Sequence, residues 1–104
     1  MQLIFGITLS YYLRCWHVSE YALAELMFID RSHVRRIVDG EKLPSPHAFP
    51  RLYGALLAAA LVVNPNLLKE DAATLQNCFH ELFGAWSHDM IARGDDRHNR
   101  RLSA

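Results

Sequence analysis

Helix-start and helix-stop signals follow one another closely in the middle of this chain, and they constrain the fold more than any other feature. Ser19 and Asp30 are typical N-cap residues, because a short side-chain oxygen can accept a free backbone N–H of the first helical turn. Gly40 is typical of the residue just past a helix, and Ser45 followed by Pro46 is a strong start signal. The sequence therefore predicts two short helices and a third that begins soon after them.

Apolar residues recur between these signals at the spacings of three and four that amphipathic helices require, as Leu9, Tyr12, Leu13 and Trp16 illustrate. No alternating run bounded by hairpin turn residues predicts a strand. We expect an all-α fold of five helices, at residues 3–17, 20–27, 31–39, about 49–63 and 67–93.

The segment from Ser19 to Pro46 resembles the helix-turn-helix of the phage-repressor family (Cro/CI-like, also described as xenobiotic-response-element-like). The likeness consists of four features. They are a pair in the middle of the first helix whose second residue is small, an apolar residue that fills the turn, two apolar residues that pack the second helix against the core, and the residues that end this helix and start the next. These residues are Leu23 and Ala24, Ile29, Val34 and Ile37, Gly40, and Pro44-Ser45-Pro46. The resemblance covers roughly residues 8–57 and implies a five-helix, repressor-like helix-turn-helix domain at residues 1–63.

The resemblance also implies a sequence-specific transcriptional regulator that binds double-stranded DNA, with the helix after the turn in a major groove. Arginine can bond guanine through two hydrogen bonds, serine can serve several bases, and a lysine just past the helix can reach a phosphate. The implied DNA-binding residues are Arg31, Ser32, His33, Arg35, Arg36 and Lys42.

Two positions depart from the family's pattern. Glu20 stands where the family has a phosphate-binding glutamine, and phosphate would repel a carboxylate there. Phe28 stands where the family has a glycine, at a turn position that tends to need φ > 0. Either the turn differs here, or packing holds Phe28 in that conformation. The whole segment carries four basic and five acidic side chains, so any cationic surface on it must be local.

A long helical pattern at residues 67–93 follows the break at Asn64-Pro65-Asn66, and its apolar residues lie close to a heptad spacing. This helix can fold back over the first four, pair with a second copy, or do both in part. We expect a homodimer through this C-terminal helix (residues 64–93), because repressor-type domains usually bind two half-sites about 34 Å apart. The candidate dimerisation residues are Leu75, Phe79, Leu82, Phe83, Trp86 and Met90.

Composition limits the remaining functions. Eleven basic and eleven acidic residues give the 104-residue chain a formal net charge of zero. Residues 94–104 contain almost nothing apolar, and we expect them to form a mobile tail. The absence of a signal-peptide pattern and of a long apolar run favours a cytoplasmic protein with no membrane contact.

No nucleophile–base–acid set has a recognisable signature, so we expect no enzyme. The triplets Cys15-Trp16-His17 and Cys78-Phe79-His80 point Cys and His to different sides of a helix, so we expect free thiols and no metal. No cofactor or small-molecule ligand is inferred from the sequence. The alternative function is protein–protein contact, in which the same fold serves as an anti-repressor or assembly factor without reading DNA.

Overall fold

The described part of the chain is all-helical. The structure, a computed structural model, describes the backbone of residues 3–70 and 72–103 and the side chains of residues 3–69 and 73–93. Within these ranges there are six helices where the sequence predicted five, because the region after Asn66 contains a short helix and a long one. They are α1 (Ile4–Cys15), α2 (Glu20–Met27), α3 (Arg31–Val38), α4 (Ala48–Val63), α5 (Leu67–Glu70) and α6 (Ala72–Ser103).

Serine supplies the expected hydrogen bond near two helix starts, although α4 begins at Ala48, with His47 and not Ser45 at its N-cap. The Ser19 hydroxyl accepts the Ala22 N–H at 3.0 Å, and the Ser45 hydroxyl accepts the Ala48 N–H at 3.1 Å. Asp30 precedes α3 in an extended conformation, although its side chain makes no capping hydrogen bond. The Ser19 side chain thus caps the start of α2, and the Ser45 hydroxyl satisfies the first N–H of α4.

The first three helices end in the same way. Each is followed by a residue in the left-handed region: His17 (φ 55°), Phe28 (φ 57°) and Gly40 (φ 80°). In each case the next residue donates its N–H to the carbonyl five positions back, which satisfies a carbonyl that the helix leaves free. These bonds join Val18 to Leu13 (2.9 Å), Ile29 to Ala24 (3.1 Å) and Glu41 to Arg36 (2.9 Å).

Gly6 allows α1 to cross α3 closely. A Cβ at this position would overlap the carbonyl oxygen of Ile37 and come within 2.7 Å of that of Val38. Around this crossing the core draws fully buried side chains from five helices, among them Phe5, Leu9, Leu23, Val34, Leu52, Leu56 and Leu82.

Helix α6 folds back along α1 and joins this core. The Tyr12 hydroxyl donates to the Glu81 carboxylate at 2.6 Å, and the Phe5 N–H donates to the Asp89 carboxylate at 2.8 Å. The earlier residue of α1, Phe5, contacts the later residue of α6, Asp89, so α6 is antiparallel to α1. Its backbone stays helical to Ser103. The side chains of residues 94–104 lie outside the described part, and the mobile tail stays a prediction.

Among the helices described, none combines the length and apolar character that crossing a membrane requires.

Candidate functional site

The outward face of α3 is the candidate site. Val34 and Ile37 are buried and hold the helix against the core. At about 100° per residue, Ser32 and Arg36 lie on the opposite side and form the outermost ridge. All six side chains predicted to contact DNA are exposed: Arg31, Ser32, His33, Arg35, Arg36 and Lys42.

Arg35 differs from its neighbours because its guanidinium is already paired. Its Nη1 lies 3.2 Å from Glu20 Oε2 on α2, and its Nε lies 3.3 Å from Asp39 Oδ2. The Arg35 side chain is still 59% exposed, and ion pairs of this kind contribute only about 0–1 kcal/mol. The pairs therefore orient Arg35 along α3 without removing it from the surface. Arg31 and Arg36 have no ion-pair partner within the described residues.

A basic groove lies on the α1–α2 flank of α3, which we call the amino-side groove. It encloses about 800 Å³ and is lined by Arg14 and His17 from the end of α1, Glu20 from α2, and Arg31 and Arg35 from α3. Arg14 and His17 were missed by the sequence reasoning. Their sequence signal is that they lie five and two positions before the N-cap Ser19, close to the start of α2.

A second groove lies on the other flank, between α3, the α3–α4 loop, α4 and α6. It encloses about 560 Å³ and receives His33 and Lys42, two of the predicted DNA-contact residues. We call it the cationic groove, since Arg51 of α4 and Arg93 of α6 also line it. The predicted set is therefore divided: Arg31 and Arg35 face one groove, and His33 and Lys42 face the other.

Phe28 occupies the turn between α2 and α3 in the left-handed conformation and is 91% exposed. The turn therefore has the positive φ that the resemblance to the repressor family implied for this position. Packing does not hold Phe28 there, because the ring touches little of the protein. A large aromatic side chain in a strained, exposed position is a candidate contact residue.

The candidate dimerisation residues of α6 fall into two groups. Leu75 and Leu82 are buried, and Met90 is partly buried against the same core. Trp86 donates its indole N–H to the Pro44 carbonyl at 2.8 Å and so ties α6 to the α3–α4 loop.

Phe79 and Phe83 remain exposed, at 38% and 45%. Their rings stack at a centroid distance of 5.8 Å, with Tyr53 against Phe79 and Phe49 against Phe83. These two rings are the part of the predicted seam that is left open to a partner.

Comparison with protein-family models, curated proteins and solved structures finds no match to this chain.

Proposed function

We propose that this chain is a sequence-specific DNA-binding transcriptional regulator that acts as a homodimer and inserts α3 into the major groove. The observation that carries this proposal is the outermost ridge of α3. Arg36 is exposed there with no ion-pair partner in the described residues, next to Ser32, and Arg31 lies one turn before Arg35 on the adjacent flank. Free arginine and serine side chains on such a ridge are suited to base edges.

The amino-side groove supplies groups for the phosphate backbone. Arg14 and Arg31 line it together with the start of α2, where free N–H groups favour an anion. Glu20 would repel a phosphate, but its carboxylate is paired with Arg35 at 3.2 Å. The pairing offsets the negative charge at the position where the resembled family has glutamine, so the departure at Glu20 does not by itself oppose DNA contact.

The homodimer proposal is supported by Phe79 and Phe83. Exposed aromatic rings are enriched at protein interfaces, and these two stack side by side on one face of α6. The proposal requires that two copies joined through this face present their α3 helices to the same duplex.

A protein–protein module remains the second candidate function, and Phe28 favours it. The ring is 91% exposed between α2 and α3, where a helix-turn-helix has no base edge to meet. An aromatic anchor at this point fits a protein partner that covers the turn.

Binding to a randomised duplex library, followed by titration of the selected sequence at rising salt, tests the proposal. We expect log K to fall linearly with log salt, by about 0.9 per phosphate contact. Arg36→Ala should weaken binding by about 1–3 kcal/mol and relax the preference at one base pair. Lys69→Ala, which removes a charge from α5, is the matched control and should change little.

The outcomes separate the two functions. Absence of binding to any duplex at low salt would reject the DNA proposal and leave the protein–protein module. Binding that Phe28→Ser leaves unchanged and Arg36→Ala weakens would support DNA reading by α3.

A further inference from the structure

The cationic groove has an apolar floor. Ile37 of α3 and Leu43 and Pro44 of the following loop line it from one side, and Met90 of α6 lines it from the other. Ile37 is 4% exposed and Leu43 is 7% exposed, so both are held by the core beneath. The bond from the Trp86 indole to Pro44 fastens the loop to α6. The floor is therefore a built surface between packed elements.

Within the described part of the chain, the rim of the groove carries only positive charge. Lys42, Arg51 and Arg93 line it together with His33, and no carboxylate among the described side chains lines it. Glu41 is next to Lys42 in the chain but contributes its backbone: its carbonyl accepts a hydrogen bond from Arg93 Nη2 at 3.5 Å. That long contact places the Arg93 guanidinium beside the α3–α4 loop. Three permanent cations around an apolar floor attract an anion that has an apolar body.

The volume of the cationic groove suits a small ligand, and its apolar floor distinguishes such a ligand from a phosphate backbone. About 560 Å³ lies within the 300–1,000 Å³ typical of small-molecule sites, which combine apolar walls with a few placed polar groups. A phosphate backbone would use the cations and leave the floor unused. An aliphatic carboxylate uses both, because its charged end pairs with the rim and its hydrocarbon chain leaves water for the apolar floor.

We propose that the cationic groove binds an aliphatic carboxylate, with its carboxylate among Lys42, Arg51 and Arg93 and its hydrocarbon chain on Ile37, Leu43 and Met90. Arginine suits this task because its planar guanidinium can bond both oxygens of a carboxylate. The proposal goes beyond DNA binding and does not depend on it.

Calorimetric titration of the full chain with octanoate, decanoate and dodecanoate, each below its micelle concentration, tests the proposal. The affinity should rise by about fourfold for each added methylene, the ratio expected when each one is buried. Decylammonium, which has the same chain and the opposite charge, should bind at least tenfold more weakly than decanoate. Inorganic phosphate should not displace decanoate, because it lacks the apolar body.

Two charge reversals locate the site. Arg51→Glu and Lys42→Glu replace exposed side chains, so the fold should persist, and circular dichroism checks that it does. Each should weaken decanoate binding at least tenfold, whereas Lys69→Glu on α5 should leave it unchanged.

Three results would overturn the proposal. They are the absence of saturable decanoate binding, an affinity independent of chain length or of the sign of the head group, and full binding by the Arg51→Glu, Lys42→Glu double variant. Because no titration contains DNA, failure here would leave the proposed function of α3 untouched.

Discussion

The carboxylate of Asp89, deep in α6, accepts the backbone N–H of Phe5 at 2.8 Å and so caps the first turn of α1. Leu3, the residue before α1, has no side-chain oxygen for this purpose. A negative charge at a helix N-terminus is favoured by the helix dipole, and Asp89 is only 2% exposed. The bond therefore joins the start of α1 to the middle of α6 and satisfies an N–H that would otherwise be buried without a partner.

Asp89→Ala should lower the free energy of unfolding by about 2 kcal/mol, because it removes a charged acceptor and leaves the Phe5 N–H unpaired. Urea denaturation measures this change. Gln76→Ala, at an exposed position of α6, is the control and should stay within about 0.5 kcal/mol of the parent. Equal stability of the Asp89→Ala and parent proteins would show that the cap does not contribute.

Gly6→Ala should destabilise the protein by more than about 2 kcal/mol, because the added Cβ meets rigid carbonyl oxygens of α3. Gly54→Ala and Gly84→Ala are matched controls, since a Cβ there has nothing within 4 Å. Both controls should stabilise their helices by about 1 kcal/mol, the difference in helix propensity. Thermal unfolding of the three variants measures their relative stabilities. A Gly6→Ala protein as stable as the parent would contradict the close crossing of α1 and α3.

Phe28→Gly and His17→Gly should each stabilise the protein by about 1 kcal/mol, because glycine adopts the left-handed conformation without strain and both side chains are exposed. Gly40→Ala should destabilise it by a similar amount, since φ there is 80°. Denaturant midpoints measure the three changes. If Phe28→Gly were destabilising, the ring would have to make contacts that its 91% exposure does not provide.

Stability should fall in alkaline solution. Burial, with the Glu81 carboxylate nearby, raises the pKa of the Cys78 thiol from 9.0 to about 12, and burial also raises the pKa of Tyr12. The folded state therefore favours the protonated forms. Their contribution is complete below about pH 9 and is lost as the pH rises through the folded-state value, by up to about 1.4 kcal/mol per pH unit for each group.

Urea unfolding measured from about pH 8 to pH 11 checks this slope. Cys78→Ala should reduce the slope of unfolding free energy against pH, because it removes one of the groups whose pKa is raised by folding. Cys15→Ala, at an exposed thiol, should leave the slope nearly unchanged. An identical slope in the Cys78→Ala protein would contradict the raised pKa.

Phe83→Glu should abolish self-association, because it places a charge among the stacked rings of the proposed dimer face. Sedimentation equilibrium at micromolar concentration measures the association. Ile91→Glu, on an exposed residue of α6 outside the ring cluster, should leave it intact. Monomeric behaviour of the parent protein would reject the homodimer.

The sequence by itself predicted the all-helical class and most helix boundaries from Ser19 to Val63. Those boundaries depend on interactions within a few residues, such as the Ser19 cap and the glycine at position 40. Such local interactions can be inferred from residues that are adjacent in the sequence. The positive φ at Phe28 was also anticipated, but its exposure was not, because packing around a turn depends on distant parts of the chain.

Tertiary structure alone decided how α6 is used. Its apolar spacing is the same whether the partner is the protein's own core or a second copy, so the sequence left Leu82 and Phe83 equivalent. The fold buries Leu82 fully and leaves Phe83 45% exposed. Likewise, Arg35 and Arg36 are adjacent in sequence, but only Arg35 meets Glu20, a residue fifteen positions away. Spacing along a helix determines which residues share a face, whereas the crossing of helices determines what that face meets.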